Sequence, residues 1–362
     1  MKTRNWNEIL RGFGFKRWLL LGLNLVLLIA CAACAVGVRQ ISTTLNTTTA
    51  AERFRGESDT RFAQLACYLP AGQGVTQEEI FTFRQTLESK FTEQSLEAPE
   101  NGSLTIDAYC ASEKVTATTD YGSAELTALG VGGDFFYFHP LSLRSGSYIS
   151  ERDLMDDLVV LDESLAWRLF GSTDLAGMTM WINGEPFVVS GVVTLEEDFA
   201  TAKARTQEGA LFLSYSALNR LKEELTIDCY EIVLPDPITG YASGVMEENF
   251  PIGTGDLVEN SSRYSLGHLL KIAGSVGERS MRTNGVIYPY WENALRLTED
   301  YAALLLILAI LFALCPLVFA GVLAIRAICR GYRRIKKAVP EKIDSAVERR
   351  REHKYESKTG GE

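Results

Sequence analysis

Two long apolar runs, near the two ends of the chain, dominate its pattern of hydrophobic and polar positions. The first covers residues 18–38 and the second covers residues 301–325, and neither contains a charged side chain. An α-helix of about 20 apolar residues spans the roughly 30 Å hydrocarbon core of a bilayer. The pattern therefore predicts two transmembrane helices, with Pro316 as a kink or hinge in the second.

Between these runs the periodicity is that of a water-exposed domain. Residues 61–69 indicate a strand, and residues 77–91 place apolar side chains at helical spacing. Thr76 and Glu79 predict a capping box at the start of that helix. Residues 103–111 and 124–131 are typical of further strands. This alternation predicts an α+β domain rather than a helical bundle.

The middle of the chain gives the sharpest local signals. Residues 158–161 predict a buried strand, and Asp162 then predicts an N-cap for a two-turn helix. Gly171 is expected to end that helix in the left-handed conformation. Asn183-Gly184 predicts a tight hairpin between two strands.

The last third returns to mixed elements. The pattern predicts strands over 210–213 and 230–234, and helices over 214–225 and 240–249. It also predicts a helix over 262–281 that is broken near Gly274. The chain then reaches the second apolar run.

Charge sets the expected orientation. The chain of 362 residues has a formal net charge of −10, and its hydrophobic content is 46%. Residues 1–17 carry +4 and residues 326–362 carry +6, so the remainder carries −20. Because basic flanks stay in the cytoplasm, both termini are expected inside and the acidic domain outside. An acidic domain argues against nucleic acid as a partner.

The basic tail has two interpretations. Its lysines and arginines indicate contact with anionic lipid, and a contact with a cytoplasmic protein is the sharper alternative. The candidate residues are Arg330, Arg333, Arg334, Lys336 and Lys337.

Cysteines leave two questions open. Residues 28–31 resemble a lipoprotein cleavage site ending at Cys31, but the apolar run continues for seven residues, which favours a retained span. Cys67, Cys110 and Cys229 fall in the outer domain, where they allow one disulfide and a free thiol, or no disulfide.

No pattern of catalytic or metal-binding residues is evident. His139 and His268 are isolated, and turn or surface positions are expected for both. The acidic pairs fit solvated loops, and no GxxxxGK[ST] phosphate loop is present. The sequence thus predicts no catalytic residue, no cofactor, no metal site and no enzymatic activity.

An aromatic group precedes the second apolar run. Tyr288, Tyr290 and Trp291 indicate either a membrane-proximal contact with a partner or an interfacial anchor, and the anchor is favoured.

Residues 132–193 resemble the MacB-like periplasmic core domain of MacB/FtsX-type ABC transporter permeases. The resemblance lies in an ordered series of short motifs: Gly133-Asp134-Phe135-Phe136, Leu141-x-Leu143-x-x-Gly146-x-x-Ile149, Val159-Val160-Leu161-Asp162-x-x-Leu165-Ala166, Leu169-Phe170-Gly171, Asp174-x-x-Gly177, Ile182-Asn183-Gly184 and Phe187-x-Val189-x-Gly191-Val192-Val193.

The resemblance implies a two-lobed domain. One lobe would be porter-like and built of βαβ-type halves, and the other would be a mostly β insertion at about 140–210. The expected order is a cytoplasmic 1–17, a span at 18–38, the outer domain at 39–300, a span at 301–325 and a cytoplasmic tail at 326–362. Permeases of this type continue with two more spans, which this sequence lacks.

The expected function is that of a non-catalytic membrane subunit associated with an ABC transporter. Its outer domain would bind a partner or substrate, or transmit motion across the membrane. Expected partners are the bilayer, an ABC ATPase, permease subunits and further copies in a homo- or hetero-oligomer. The alternative is a stand-alone membrane-anchored binding or sensor protein, and an exported hydrolase is a distant third.

Overall fold

The computed structural model describes residues 15–58, 60–94 and 102–359. The chain divides into two compact units. One contains the chain up to Gly37 together with the chain from Leu305 onward. The other, Val38–Leu304, is called the large unit below.

Two helices are long and apolar enough to cross a membrane. Helix α1 covers Phe15–Ser42, and the last helix, α10, covers Tyr290–Thr359. Each of the two helices contains one of the predicted apolar runs and extends beyond it at both ends. Helix α10 continues through Pro316 without a break in its assignment, and a hinge there stays a prediction. Residues 1–14 of the predicted cytoplasmic N-terminus lie outside the described residues.

The large unit contains the other helices and all described strands. Its helices are α2 (Ala50–Arg55), α3 (Gln77–Glu93), α4 (Phe135–Phe138), α5 (Glu163–Phe170), α6 (Phe199–Ala204), α7 (Tyr215–Leu221), α8 (Tyr241–Asn249) and α9 (Leu266–Ile272). Its strands are β1 (Phe62–Tyr68), β2 (Ile106–Thr118), β3 (Ser123–Gly133), β4 (Ser142–Gly146), β5 (Leu158–Asp162), β6 (Thr179–Ile182), β7 (Glu185–Thr194), β8 (Leu211–Ser214), β9 (Cys229–Pro235) and β10 (Asp256–Glu259).

The strands form one mixed sheet, in the order β10-β1-β9-β2-β3-β8-β5-β7-β4, with β6 joining β2 and β7. The pairs β3–β8 and β5–β7 are parallel, and the others are antiparallel. The predicted α+β class between two apolar helices is confirmed. Strands β4 to β8 continue the sheet of the other strands, and a lobe boundary at about 140–210 stays a prediction.

Local signals explain several elements. The Thr76 side chain accepts a hydrogen bond from the Glu79 amide, and the Glu79 carboxylate accepts one from the Thr76 amide at 2.8 Å, so the predicted capping box is present. Asp162 caps α5, and Gly171 ends it with φ of 71°. These caps satisfy backbone groups that a helix end leaves without partners.

The hairpin of β6 and β7 also follows the prediction. Asn183 and Gly184 have φ values of 50° and 88°, as a two-residue turn of this kind requires. Four apolar side chains of the two strands are fully buried: Met180, Ile182, Phe187 and Val189.

Helices on one face of the sheet cover two neighbouring parts of its core. Helix α3 buries Ile80, Phe83, Leu87 and Phe91 against β1 and β9 on one face. On another part of the sheet, α5 and α7 cover the β6–β7 hairpin.

The predicted helix over 262–281 is wrong in its extent. The structure has an isolated 3₁₀ turn at Asn260–Ser262, α9 over Leu266–Ile272 and a second 3₁₀ turn at Ala273–Ser275. Gly277 has φ of 83°, and its amide donates to Asp300 at 2.8 Å instead of to a helical carbonyl. A contact with α10 therefore replaces the last helical turns.

Candidate functional site

A fully buried arginine joins the 260–282 segment to the first turns of α10. The Arg263 Nη1 atom donates to Glu299 Oε1 at 2.9 Å, and its Nη2 atom donates to Glu292. Its Nε atom donates to Asn260 Oδ1 at 2.7 Å. The side chains of Arg263, Glu292 and Glu299 are all inaccessible to solvent. One guanidinium thus holds two turns of the helix to the preceding loop.

Two more arginines complete this arrangement. Arg279 contacts Glu299 at 2.5 Å and Asp300 at 3.4 Å, and Arg296 donates to Glu292 at 2.6 Å. Three guanidinium groups therefore face three carboxylates. The charge cluster consists of Arg263, Arg279, Arg296, Glu292, Glu299 and Asp300.

Burial lowers the pKa of the Arg263 guanidinium, but Glu292 and Glu299 more than offset this effect and the pKa is raised overall. Arg263 therefore stays charged wherever the domain is folded. A buried cation with two carboxylate partners is costly to disrupt, because removing one group leaves the buried charges of the cluster unbalanced.

The sequence places these groups by simple helical spacing. Glu292, Arg296 and Glu299 are separated by four and three residues, so they share one face of α10. The 3₁₀ turn at Asn260–Ser262 precedes Arg263, and Ser265 then caps α9 by accepting from the His268 amide. Two short turns thus fix Arg263 opposite the charged face of α10.

A small apolar cluster lies beside the charge cluster in the large unit. It contains Leu45, Ala200, Ala204, Ala294, Leu295 and Leu297. Leu45 comes three residues after the end of α1, and residues 294–297 belong to the first turns of α10. The chain that follows the first apolar helix therefore packs, within the large unit, with the chain that leads into the second.

The predicted aromatic site is mostly buried. Tyr288 and Trp291 are each 4% exposed. The Arg296 guanidinium lies 3.8 Å from the centre of the Tyr288 ring, and the Trp291 ring centre lies 4.6 Å from that of His139. Tyr290 is partly buried, whereas its neighbour Ile287 is 58% exposed. A partner contact here stays a prediction, and Ile287 offers more free surface for it than the buried rings.

His139 lies in the turn that directly follows α4, as one of the two expectations had it, but its side chain is buried and not at the surface. The short helix α4 directs His139 into the core, where its Nε2 atom lies 2.5 Å from Glu231 Oε2. Phe135 and Trp291 contact the imidazole ring, with centroids 4.5 and 4.6 Å away. His268 is partly exposed and lies 3.5 Å from Glu299.

A cavity of about 210 Å³ lies between β2, β3, the 205–210 segment and residues 287–291. Asp228 lines it and accepts a hydrogen bond from Ser112 at 3.3 Å. Burial raises the pKa of Asp228 to about 6. Cys110 lines the same cavity and lies opposite Cys229 in the sheet, and the thiols of Cys67, Cys110 and Cys229 are free. The cavity thus has a polar and titratable side.

The basic tail is part of α10. Arg330, Arg333 and Lys336 are exposed, whereas the side chains of Arg334 and Lys337 lie outside the described part. Contacts of these residues with lipid or protein stay predictions. Across residues 15–58, 60–94 and 102–359, no group of three metal-ligating side chains could hold a metal ion.

The charge cluster was not predicted from the sequence. Glu292, Arg296 and Glu299 could have indicated it, because charged side chains on one helix face just before an apolar run require partners of opposite charge. Arg263 and Arg279 carried no comparable signal, since only tertiary contacts bring them to α10.

Comparison with known proteins confirms the resemblance. Residues 82–238 match the family model of the MacB-like periplasmic core domain. The macrolide export ATP-binding/permease protein MacB of Neisseria gonorrhoeae is 33% identical over 85 residues, which cover 22% of this chain. MacB of Neisseria meningitidis serogroup B matches to the same extent. The match spans only 13% of the length of these relatives.

Two solved structures were also compared. The extracellular domain of the noncanonic ABC-type transporter YknZ from Gram-positive bacteria has a TM-score of 0.37 and 14% identity, and the match covers 52% of this chain and 92% of that one. The periplasmic region of MacB from Actinobacillus actinomycetemcomitans has a TM-score of 0.38 and 19% identity, with 59% and 95% covered.

The two candidate membrane helices and the match to a periplasmic domain fit a membrane protein with a domain outside the membrane. The large unit contains a MacB-like periplasmic core domain, of the kind found in MacB/FtsX-like ABC transporter permeases.

Proposed function

We propose that this chain is a non-catalytic membrane subunit associated with an ABC transporter, and that its large unit transmits motion between the outside and the membrane helices. The proposal includes an ABC ATPase and permease subunits as partners. Support for this class of partner comes from the MacB-like domain and from relatives named as ATP-binding/permease proteins.

The observation that carries the proposal is the pairing of Arg263 with Glu292 and Glu299. This pairing attaches the 260–282 segment to α10 shortly before its apolar part begins. A displacement of α10 along its axis would strain buried ion pairs rather than exposed contacts. Because such pairs tolerate little separation without a large cost, a moving helix would carry the segment with it.

The apolar cluster supports the same mechanism. Leu45, which follows α1, packs with Ala294 and Leu297 of α10 and with α6. Close packing transmits displacements because interiors have few voids in which they could be absorbed. Motion of either apolar helix would therefore displace α6.

The first test is purification of the full chain in mild detergent from its native membrane. The proposal expects an ABC ATPase and a multi-span permease subunit to copurify. Recovery of the chain without any ABC ATPase would contradict it.

A second candidate function is that of a stand-alone binding or sensor protein. The cavity lined by Asp228 and Tyr290 favours it, because a pocket with polar and apolar walls can accept a small ligand. Deletion of residues 326–362 separates the two candidates when it is combined with the purification. For a sensor, the deletion should abolish signalling, and no ATPase should copurify with the intact chain. For a transporter subunit, an ATPase should copurify with the intact chain.

A further inference from the structure

Three exposed apolar side chains lie on α6 and α9, two short helices that contact α10 near the start of its apolar run. Phe199 on α6 is 66% exposed, and Leu266 and Leu270 on α9 are 61% and 46% exposed. Leu266 and Leu270 are four residues apart and share one face of α9, whereas Leu269 and Ile272 are buried. Helix α9 therefore has one apolar side in the core and another facing outward.

Three contacts show which residues of α10 lie next to α9 and α6. The Tyr264 hydroxyl lies 2.8 Å from Thr298 Oγ1, and His268 lies 3.5 Å from Glu299. On another side of α10, the Phe199 ring centre lies 5.7 Å from that of Tyr301. Residues 298 and 301 are about 4.5 Å apart along a helix at about 1.5 Å per residue. Phe199 and the start of α9 thus contact α10 within one helical turn of the beginning of the apolar run.

Basic side chains accompany the apolar ones. Lys203 is exposed one turn after Phe199 on α6, and Lys271 is exposed directly after Leu270 on α9. Both stand out in a domain that is strongly acidic. Apolar side chains beside lysines are the pattern by which peripheral helices enter the boundary between headgroups and acyl chains.

We propose that Phe199, Leu266 and Leu270, together with Lys203 and Lys271, form a collar that contacts the membrane surface around α10. The occupant of this surface is the bilayer, because Phe199 contacts Tyr301, the first residue of the apolar run. The apolar side chains enter the interfacial region, and the two lysines contact anionic headgroups. This inference does not depend on a transporter partner.

The test uses the full chain in vesicles with acyl-brominated lipids. Cys31, Cys34, Cys315 and Cys329 are replaced by serine, the buried Cys67, Cys110 and Cys229 are kept, and one cysteine at a time is introduced as F199C, L270C or L154C for labelling with bimane. The parent protein without an introduced cysteine gives the background labelling. Leu154 is the matched control, since it is apolar and fully exposed in the loop between β4 and β5. The collar predicts that labels at 199 and 270 lose more than half of their emission, whereas the label at 154 keeps it.

The same vesicles test the lysines. The substitutions K203E and K271E, made together, should reduce the quenching at position 270 in vesicles that contain phosphatidylglycerol but not in pure phosphatidylcholine. An unchanged response would overturn the role of anionic lipid. If labels at 199 and 270 are quenched by aqueous iodide and not by brominated lipid, the surface faces water or a protein partner, and the collar is wrong.

Discussion

At the scale of single residues, Arg263 is the most consequential side chain in the large unit. It is fully buried, and it is the only group of the charge cluster that contacts both Glu292 and Glu299. Such a group contributes little net stability compared with an apolar core, but its loss removes the one buried cation shared by Glu292 and Glu299, and leaves each with one arginine partner, Arg296 and Arg279 respectively. Its role is therefore to fix one arrangement of α10 against the 260–282 segment.

Replacement of this arginine should be strongly destabilising. The substitution R263M is expected to lower the free energy of unfolding by about 3–5 kcal/mol, because it removes a buried cation and leaves three carboxylates of the charge cluster with only two arginines. Chemical denaturation of the full chain in detergent, followed by tryptophan fluorescence, measures the change.

The matched control is R220A. Arg220 contacts Glu185 at 3.3 Å with both side chains nearly half exposed, so its loss should cost less than about 1 kcal/mol. Adding E299Q to R263M should recover part of the lost stability, because the remaining charges then balance as Arg296 with Glu292 and Arg279 with Asp300. Equal effects of R263M and R220A would show that the buried pairs do not fix the segment.

Asp228 gives the domain a dependence on pH. Its pKa in the folded state is raised to about 6 by burial, so the folded state binds its proton more tightly than the unfolded state does. The resulting stabilisation is present below the ordinary pKa of about 4 and is lost as the pH rises through about 6.

The substitution D228N should remove this dependence. We expect it to stabilise the domain at pH 7 by up to about 2 kcal/mol, and to flatten the stability profile between about pH 4 and pH 6. Thermal unfolding across that range measures both effects. The exposed Asp156 supplies the control, D156N, which should keep the wild-type profile. A D228N profile with the wild-type slope would refute the assignment.

At the scale of elements, local sequence signals correctly predicted the helix caps and the hairpin turn. The capping box at Thr76, the N-cap at Asp162 and the turn at Asn183-Gly184 each depend on neighbours within a few residues. Their positions in the sequence were therefore sufficient. Strand β2 was predicted only for residues 103–111, but it extends to Thr118, because β3 and β6 provide its later partners.

The candidate site was predicted poorly, for a related reason. Tyr288 and Trp291 were expected near the membrane surface, because they precede an apolar run. That expectation stays a prediction, but the structure buries both side chains, Tyr288 beside Arg296 and Trp291 beside His139, which the sequence did not indicate. Arg263 could not be identified from sequence, because its partners lie about thirty residues later on another element.

The β6–β7 hairpin gives a test at this scale. Gly184 has φ of 88° and no atom near its missing Cβ, so G184A adds backbone strain without a clash. We expect the free energy of unfolding to fall by about 1–2 kcal/mol, because the left-handed conformation is unfavourable by that amount for a residue that has a Cβ atom. Denaturant titration measures it.

Gly122 offers a matched control in the turn between β2 and β3. It also has free space around its missing Cβ, but its φ is not positive. The substitution G122A should therefore change stability by much less than G184A. Equal losses would mean that the left-handed turn is not what sets the cost.

At the scale of the whole molecule, orientation in the membrane follows from charge. We propose that both termini lie in the cytoplasm, because both apolar helices are flanked by basic residues at the chain ends. A cysteine placed at the exposed Lys336 should be unreactive to an impermeant maleimide in intact cells and reactive after permeabilisation. A cysteine at the exposed Tyr121 should react in intact cells. Labelling of position 336 in intact cells would contradict the proposed cytoplasmic location of the C-terminal tail.

The central claim is that motion passes between the membrane helices and the large unit through the charge cluster. Hydrogen exchange of residues 260–282, measured in the purified complex with its ATPase, tests it most directly. We predict that exchange in this segment differs between the ATP-bound and nucleotide-free complexes, and that R263M abolishes the difference while the ATPase still copurifies. The same exchange with and without ATP in the wild-type complex would contradict the account.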